Sequence, residues 1–333
     1  MKRFCIKFFL LFFLIDGFIG LYHFGIRPNL TGDMGMIGQI PFGQEYTKRM
    51  QTVYKHERRM VQDITPADTI TAPVITLGDS FSQQEEKGYS QFLAELLGDD
   101  VQNIRYDQNP EQTLIQLLNQ HKIPQQTTVL VEVIERCLTW RMNYINYQDS
   151  TKAFCLDNEE YTTNKKDQKN QRILQDAIQF LKKSAGIKQP ISRYSTTQEL
   201  FMHTKLHKKL YIYDSPWDMD GDLRFTSLTE EEISNAYKNM EALHQLAENH
   251  GIRLFFLIAA DKYDVYEPFI MSSHPKNPTL DFCPDEYWII NTKPFLQAQA
   301  YAGCKDIYYI NDTHWSPVGA KIVAEEIYRR LQR

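Results

Sequence analysis

From Pro73 onward, short apolar runs alternate with stretches whose apolar residues recur at helical spacing. Val74 to Leu77 reads as a buried strand. Gly88 to Leu97 then carries Tyr89, Phe92, Leu93, Leu96 and Leu97 on one helical face. Val101 to Arg105 predicts a second strand, Glu111 to Gln120 a helix with Leu114, Leu117 and Leu118 together, and Thr127 to Ile134 a third strand. The alternation stops at Arg136. The next stretch is polar and irregular apart from a predicted helix at Gln171 to Lys183, and it reads as a lid insertion spanning about residues 140–225. Regularity returns at Thr229-Glu230-Glu231-Glu232, a capping box opening a helix to His250 that Gly251 ends. Ile252 to Ala259 is a fourth strand. A second, shorter insertion around Ser272 to Asn291 precedes a helix at Lys293 to Tyr301, a fifth strand at Ile307 to Ile310 and a closing helix at Pro317 to Leu331. Strand and helix in succession predict an α/β fold with helices on both faces of a parallel sheet of about five strands.

The first 70 residues have another pattern. Met1-Lys2-Arg3 and Lys7 precede the apolar run Phe8 to Ile15, and Phe18 to Ile26 continue it. Basic residues ahead of such a run predict a signal anchor over residues 1–26, with the rest of the chain extracytoplasmic. Leu21-Tyr22-His23-Phe24 is too bulky for a cleavage site, and no Cys comes after the run for lipidation; a cleaved signal peptide is the alternative. Asp16 inside the run costs a few kcal/mol at a helix centre. Residues 27–70 read as a juxtamembrane segment, with loop from Asn29 to Gly43 and a helix from Gln44 to Gln62. Residues 71–333 read as one α/β domain with the lid inserted in it.

A net charge of -5 gives no electrostatic footprint for nucleic acid. Beyond Cys5, four cysteines remain. Proximity in sequence favours Cys137 with Cys155 and Cys283 with Cys304, though other connectivities stay open. None of their spacings suits zinc. Asp214, Asp218, Asp220 and Asp222 crowd one stretch of the lid but lack an EF-hand register, so they read as a solvated acidic loop and no metal is expected. No cofactor is expected either.

Two short motifs carry the chemistry. Gly78-Asp79-Ser80-Phe81 comes after the first strand, and Asp312-Thr313-His314-Trp315 after the last. In an open α/β sheet the strand ends hold the active site. Ser80 is a nucleophile only with a base in reach. His314 supplies that base, and Asp312 holds its imidazole in one tautomer. A strand-to-helix turn at Ser80 would leave helix N–H groups free for an oxyanion, the Ser80 amide being the surest donor. Asn109, after the second strand, offers a side-chain amide or merely a turn before Pro110. Arg136 either reaches into the site as a fixed cation or pairs with Glu135 or Asp261. Lys262 and Tyr266, after the fourth strand, either shape a substrate groove or make structural contacts. Trp315 either packs under its loop or stacks on a sugar.

The Gly-Asp-Ser motif on the first strand, with Asp and His on the last loop, resembles the SGNH (GDSL-type) hydrolase superfamily. Asp312-Thr313-His314-Trp315-Ser316-Pro317 with Gly319, Asp261-Lys262 with Tyr266, and Glu135-Arg136 resemble its AlgX/AlgJ-like polysaccharide O-acetyltransferases. The likeness spans most of residues 70–333 outside the lid. It departs in motif order, the serine coming first here, and in lacking a Gly-x-Asn-Asp block where Glu135-Arg136 stand. The resemblance implies an SGNH-like (flavodoxin-like) three-layer sandwich. It also implies an acyl-serine intermediate, acetyl transfer to a hydroxyl of an extracytoplasmic polysaccharide, and a membrane-bound O-acyltransferase partner as acetyl donor. An SGNH carbohydrate esterase or deacetylase would use the same triad. A glycan-binding assembly protein without catalysis is the remaining alternative.

Overall fold

The computed structural model describes residues 61–64, 69–84, 88–105, 110–143, 191–202, 205–213 and 222–333. The expected signal anchor, the loop from Asn29, most of the Gln44 to Gln62 helix, the helix at Gln171 to Lys183, Cys155, Asn109 and residues 214–221 lie outside them. Among the described residues no helix is long and apolar enough to cross a membrane.

The chain is α/β, built on one parallel sheet flanked by helices. Its strands are β1 (Val61–Ile64), β2 (Val74–Gly78), β3 (Val101–Arg105), β4 (Thr128–Ile134), β7 (Arg253–Ala259) and β8 (Ile289–Asn291), in spatial order β1-β3-β2-β4-β7-β8. All neighbouring pairs are parallel. Every residue of β2 and β4 is buried, as expected of central strands covered on both faces. β4 pairs with β7 from Thr128↔Arg253 to Ile134↔Ala259, so the ends of these two strands are level. A separate antiparallel ribbon, β5 (Ile191–Ser195) with β6 (Lys209–Tyr213), lies in the predicted lid.

Five of the seven described helices match their sequence signals closely, and the short helices Leu138–Asn143 and Lys262–Tyr266 were not expected. The seven are α1 (Tyr89–Leu97), α2 (Pro110–Asn119), α3 (Leu138–Asn143), α4 (Glu230–Asn249), α5 (Lys262–Tyr266), α6 (Lys293–Tyr301) and α7 (Pro317–Leu331). The α4 capping box forms as predicted: Glu232 N–H donates to Thr229 Oγ1 at 3.2 Å and Thr229 N–H to Glu232 Oε2 at 2.8 Å. Ser316 caps α7 by accepting from Val318 N–H at 3.0 Å, with Pro317 in the first turn.

Four expectations need correction. Ile307 to Ile310 is not a sheet strand. Its apolar side chains are buried, but its backbone is satisfied locally: Ser316 N–H donates to the Ile307 carbonyl at 2.9 Å and Tyr309 N–H to the His314 carbonyl at 3.2 Å. A four-residue apolar run marks burial without saying which partner fills its hydrogen bonds. The edge strand is instead β8, inside the stretch expected to be an insertion. Secondly, Val61 and Gln62 belong to a strand and not to the end of a helix. Thirdly, the lid contains the β5–β6 ribbon. Fourthly, Cys283 and Cys304 share no disulfide. Nearness in sequence did not bring their sulfurs together; burial pushes the Cys283 thiol up to about 11.

Candidate active site

β2 ends at Gly78, and the chain then turns sharply. A Cβ at Gly78 would lie 2.2 Å from Ser82 Oγ, 2.5 Å from Glu132 Oε2 and 2.7 Å from Glu132 Cβ, so only glycine lets β2 approach β4 this closely. Asp79 organises the turn from within. Its Oδ1 accepts from Phe81 N–H at 3.0 Å, and its Oδ2 accepts from Ile134 N–H at 3.3 Å and from Arg141 Nη2 at 3.0 Å. The first bond ties the turn to itself and the others tie it to the end of β4 and to α3. With Asp79 turned inward, the next residue, Ser80, is exposed.

Glu132 supports this turn from β4. Its Oε2 accepts from Asp79 N–H and from Ser82 Oγ, each at 3.0 Å, and Ser82 Oγ lies 2.8 Å from Tyr89 OH. Burial would raise the Asp79 carboxyl, but Arg141, the Phe81 amide and Glu132 hold it below the ordinary carboxylate range. Glu132 shifts oppositely: burial and the Asp79 charge push it well up. The two carboxyls thus shift in opposite senses, Asp79 favoured in its charged form by Arg141 and Glu132 disfavoured in its charged form by burial and by Asp79.

The second loop approaches from the other end of the chain. Asp312 Oδ1 accepts from His314 N–H at 3.0 Å and lies 2.5 Å from His314 Nδ1. His314 Nε2 is 2.6 Å from Ser80 Oγ. An ionised Asp312 only accepts, so Nδ1 carries the hydrogen and Nε2 is left to take the serine proton. The imidazole packs on Phe81, ring centroids 4.8 Å apart, and Trp315 lies edge-on to the same ring at 4.7 Å. Gln84 Nε2 donates to the Trp315 carbonyl at 3.1 Å, joining the serine turn to the histidine loop. At Gly319 a Cβ would come within 2.2 Å of the Ile307 carbonyl, so glycine here seats α7 against the loop base.

The structure thus brings Ser80, His314 and Asp312 together across 234 residues of sequence. The flanking residues take other roles than a groove would need. Trp315 is fully buried beneath its loop, where the packing alternative placed it, and not open to a sugar. Tyr266 is a core residue whose hydroxyl accepts from Tyr308 N–H at 3.4 Å. Arg136 is buried in contact with Asp261 and 3.7 Å from Asp222, so it is a structural cation at the strand ends. Lys262 is wholly buried, its Nζ bonded to carbonyls of the histidine loop. All four side chains are buried. Long polar residues at strand ends point outward by default; here each finds a buried partner and turns in.

No helix starts at Ser80. A single turn occupies residues 80–83, and α1 begins only at Tyr89. The helix amides expected as oxyanion donors are therefore not at Ser80; the Ser80 amide has no hydrogen-bond partner among the described residues, and Asn109, the other candidate donor, lies outside them. Glu132, Arg141, Tyr89 and Gln84 join the site without having been expected there. Glu132 had a readable signal: a carboxyl inside the β-branched run Thr127 to Ile134 requires a buried partner. Among the described residues no cluster of metal-ligating side chains occurs; of the acidic lid run, Asp222 is buried and accepts from Tyr213 N–H at 2.8 Å. Comparisons with protein families, curated proteins and solved structures find no match to this chain.

The buried carboxyls have a consequence for stability. Burial raises Glu111, Glu132 and Glu135, takes Asp261 to about 7 against its Arg136 partner, and takes Asp264 to about 6. A carboxyl with a raised folded-state pKa contributes stability that is full below its unfolded value and lost as pH rises through the folded one. For Asp261 the loss runs from about pH 4 to about pH 7. His244, lowered by burial, acts oppositely as pH falls below its unfolded value. Lys262, lowered by burial to about 7, likewise loses stability as pH falls through that value. With five raised carboxyls against this lysine and His244, stability measured by urea unfolding should rise by about 1 kcal/mol per pH unit on acidification from about pH 7.5 to about pH 5.5. A stability that falls over that interval would contradict this electrostatic assignment.

Proposed function

We propose that this chain is an SGNH-like O-acetyltransferase of the cell envelope. It would be held by an N-terminal anchor, with its catalytic domain on the extracytoplasmic side of the cytoplasmic membrane. The observation that carries the proposal is the Ser80–His314–Asp312 chain, with links of 2.6 and 2.5 Å, at the sheet end where such folds hold their sites. His314 Nε2 takes the Ser80 proton as Oγ attacks the acetyl carbonyl. The Ser80 amide donates to the oxyanion, and the imidazolium, steadied by Asp312, returns the proton to the leaving group. An acetyl-serine results. A polysaccharide hydroxyl, deprotonated by His314, then attacks it and leaves as the acetyl ester, restoring Ser80. The acetyl donor is a group carried across the membrane by an O-acyltransferase partner.

Esterase chemistry would use the same acyl-enzyme with water as acceptor, so the acceptor decides between them. The full chain is incubated with a chromogenic acetyl ester, with and without oligosaccharides, and the sugars are analysed for O-acetyl groups. Acetylated sugar formed at the expense of free acetate is the expected result. Acetate alone under every acceptor would make it an esterase, and wild-type turnover equal to that of Ser80→Ala would remove catalysis altogether.

A further inference from the structure

The loop that presents Asp312 and His314 is not part of the sheet, yet both side chains must be held to fractions of an ångström. One buried residue bonds three of the loop's carbonyls at once. Lys262, the first residue of α5 at the end of β7, is fully buried, and its Nζ reaches the carbonyls of Tyr309 at 2.8 Å, Ile310 at 2.9 Å and Asp312 at 3.3 Å. An ammonium has three donor hydrogens, and this loop presents three carbonyl acceptors to it. The Phe201 ring lies 5.4 Å from Nζ and closes the other side. Asp312 is therefore held twice: its carbonyl by Lys262 and its carboxylate by His314.

We infer that Lys262 is a positioning residue that fixes the register of the Asp312–His314 loop against Ser80, touching neither substrate nor the reacting atoms. The inference rests on the acyl-serine reading. It explains why a lysine, expensive to bury, occupies a site where an apolar side chain would pack. Without it, three loop carbonyls lose their donor and the loop can shift toward water. A displacement of about 1 Å at His314 costs about a hundredfold in turnover.

The test compares the full chain with Lys262→Met, which keeps the length but has no donor, and Lys262→Gln, which keeps an amide. Readouts are kcat and KM on a chromogenic acetyl ester, the rate at which a fluorophosphonate labels Ser80, and the low-field proton resonance of the His314 Nδ1–H bonded to Asp312. Lys262→Met should lose about a hundredfold in kcat and in labelling rate while KM stays within about threefold, and its low-field resonance should broaden or vanish. Lys262→Gln should fall between. Wild-type kcat and an intact resonance in a folded Lys262→Met would overturn the inference alone. A wild-type chain that neither labels nor turns over would remove the acyl-serine reading, and this inference with it. Unfolding of both variants would also overturn it, by making Lys262 a determinant of the fold and not of the loop.

Discussion

On the acyl-serine reading, Ser80→Ala should lower acetyl-ester turnover by about four to six orders of magnitude, and His314→Ala should do the same, while neither variant should lose the fold. Geometry dictates the size of the loss. Ser80 Oγ has His314 Nε2 at 2.6 Å, and His314 Nδ1 has Asp312 at 2.5 Å. Removing the hydroxyl removes the nucleophile; removing the imidazole leaves a hydroxyl with no base in reach. Each loss disables the whole unit, so the double variant should be no slower than either single one within error. Asp312→Asn should cost about 10⁴-fold, because an amide in place of the carboxylate favours the wrong imidazole tautomer. Stability responds differently. Ser80 is exposed and the Ser80 amide remains in Ser80→Ala, so its unfolding free energy should match wild type within about 0.5 kcal/mol. Steady-state kinetics beside urea titrations check these expectations. A Ser80→Ala protein turning over at about a tenth of the wild-type rate or better would place the nucleophile elsewhere.

How far the sequence announced this arrangement depends on which force each residue answers to. Helices were legible to the residue where a local signal existed: Pro317 and Ser316 start α7, the Thr229–Glu232 capping box starts α4, and α6 runs from Lys293 to Tyr301 as its periodicity implies. Strands β2, β4 and β7 were legible because runs buried on both faces need no outside information. Ile307 to Ile310 misleads because an apolar run shows that a segment is buried, not that it pairs. The edge strand β8 escapes for the converse reason: three residues, Ile289–Asn291, are too few for a period. At the site, Ser80, Asp312 and His314 were legible because their types combine into one chemistry. The support beneath them was not. Glu132, Arg141 and Lys262 take their roles from partners up to 62 residues distant in sequence, and only packing selects those partners. Charged residues at strand ends look alike in sequence whether they face water or turn inward.

The residue on which both the fold and the site lean is the one with no side chain. Gly78→Ala should destabilise the protein by about 2–3 kcal/mol and reduce turnover by about a hundredfold. The new methyl would fall 2.7 Å from Glu132 Cβ, 2.5 Å from Glu132 Oε2 and 2.2 Å from Ser82 Oγ. A hydroxyl at the end of a free side chain would rotate away. Neither obstacle here is free: Ser82 Oγ is engaged with Glu132 and Tyr89, and Glu132 Cβ is fixed to the backbone of β4 in the middle of the sheet. The clash must then be relieved by moving β2 away from β4. Such a shift lengthens the Asp79 N–H bond to Glu132 and the Ile134 N–H bond to Asp79, both of which cross between these strands. Ser80 comes directly after Asp79, so Oγ moves off His314 while every residue of the triad remains present. The discriminating measurement is the order of the two effects. Fluorophosphonate labelling of Ser80 should slow at temperatures well below the unfolding midpoint, where the variant is still folded. Labelling at the wild-type rate up to a lowered midpoint would mean that the strands relax without disturbing the serine turn, and Gly78 would then serve packing alone.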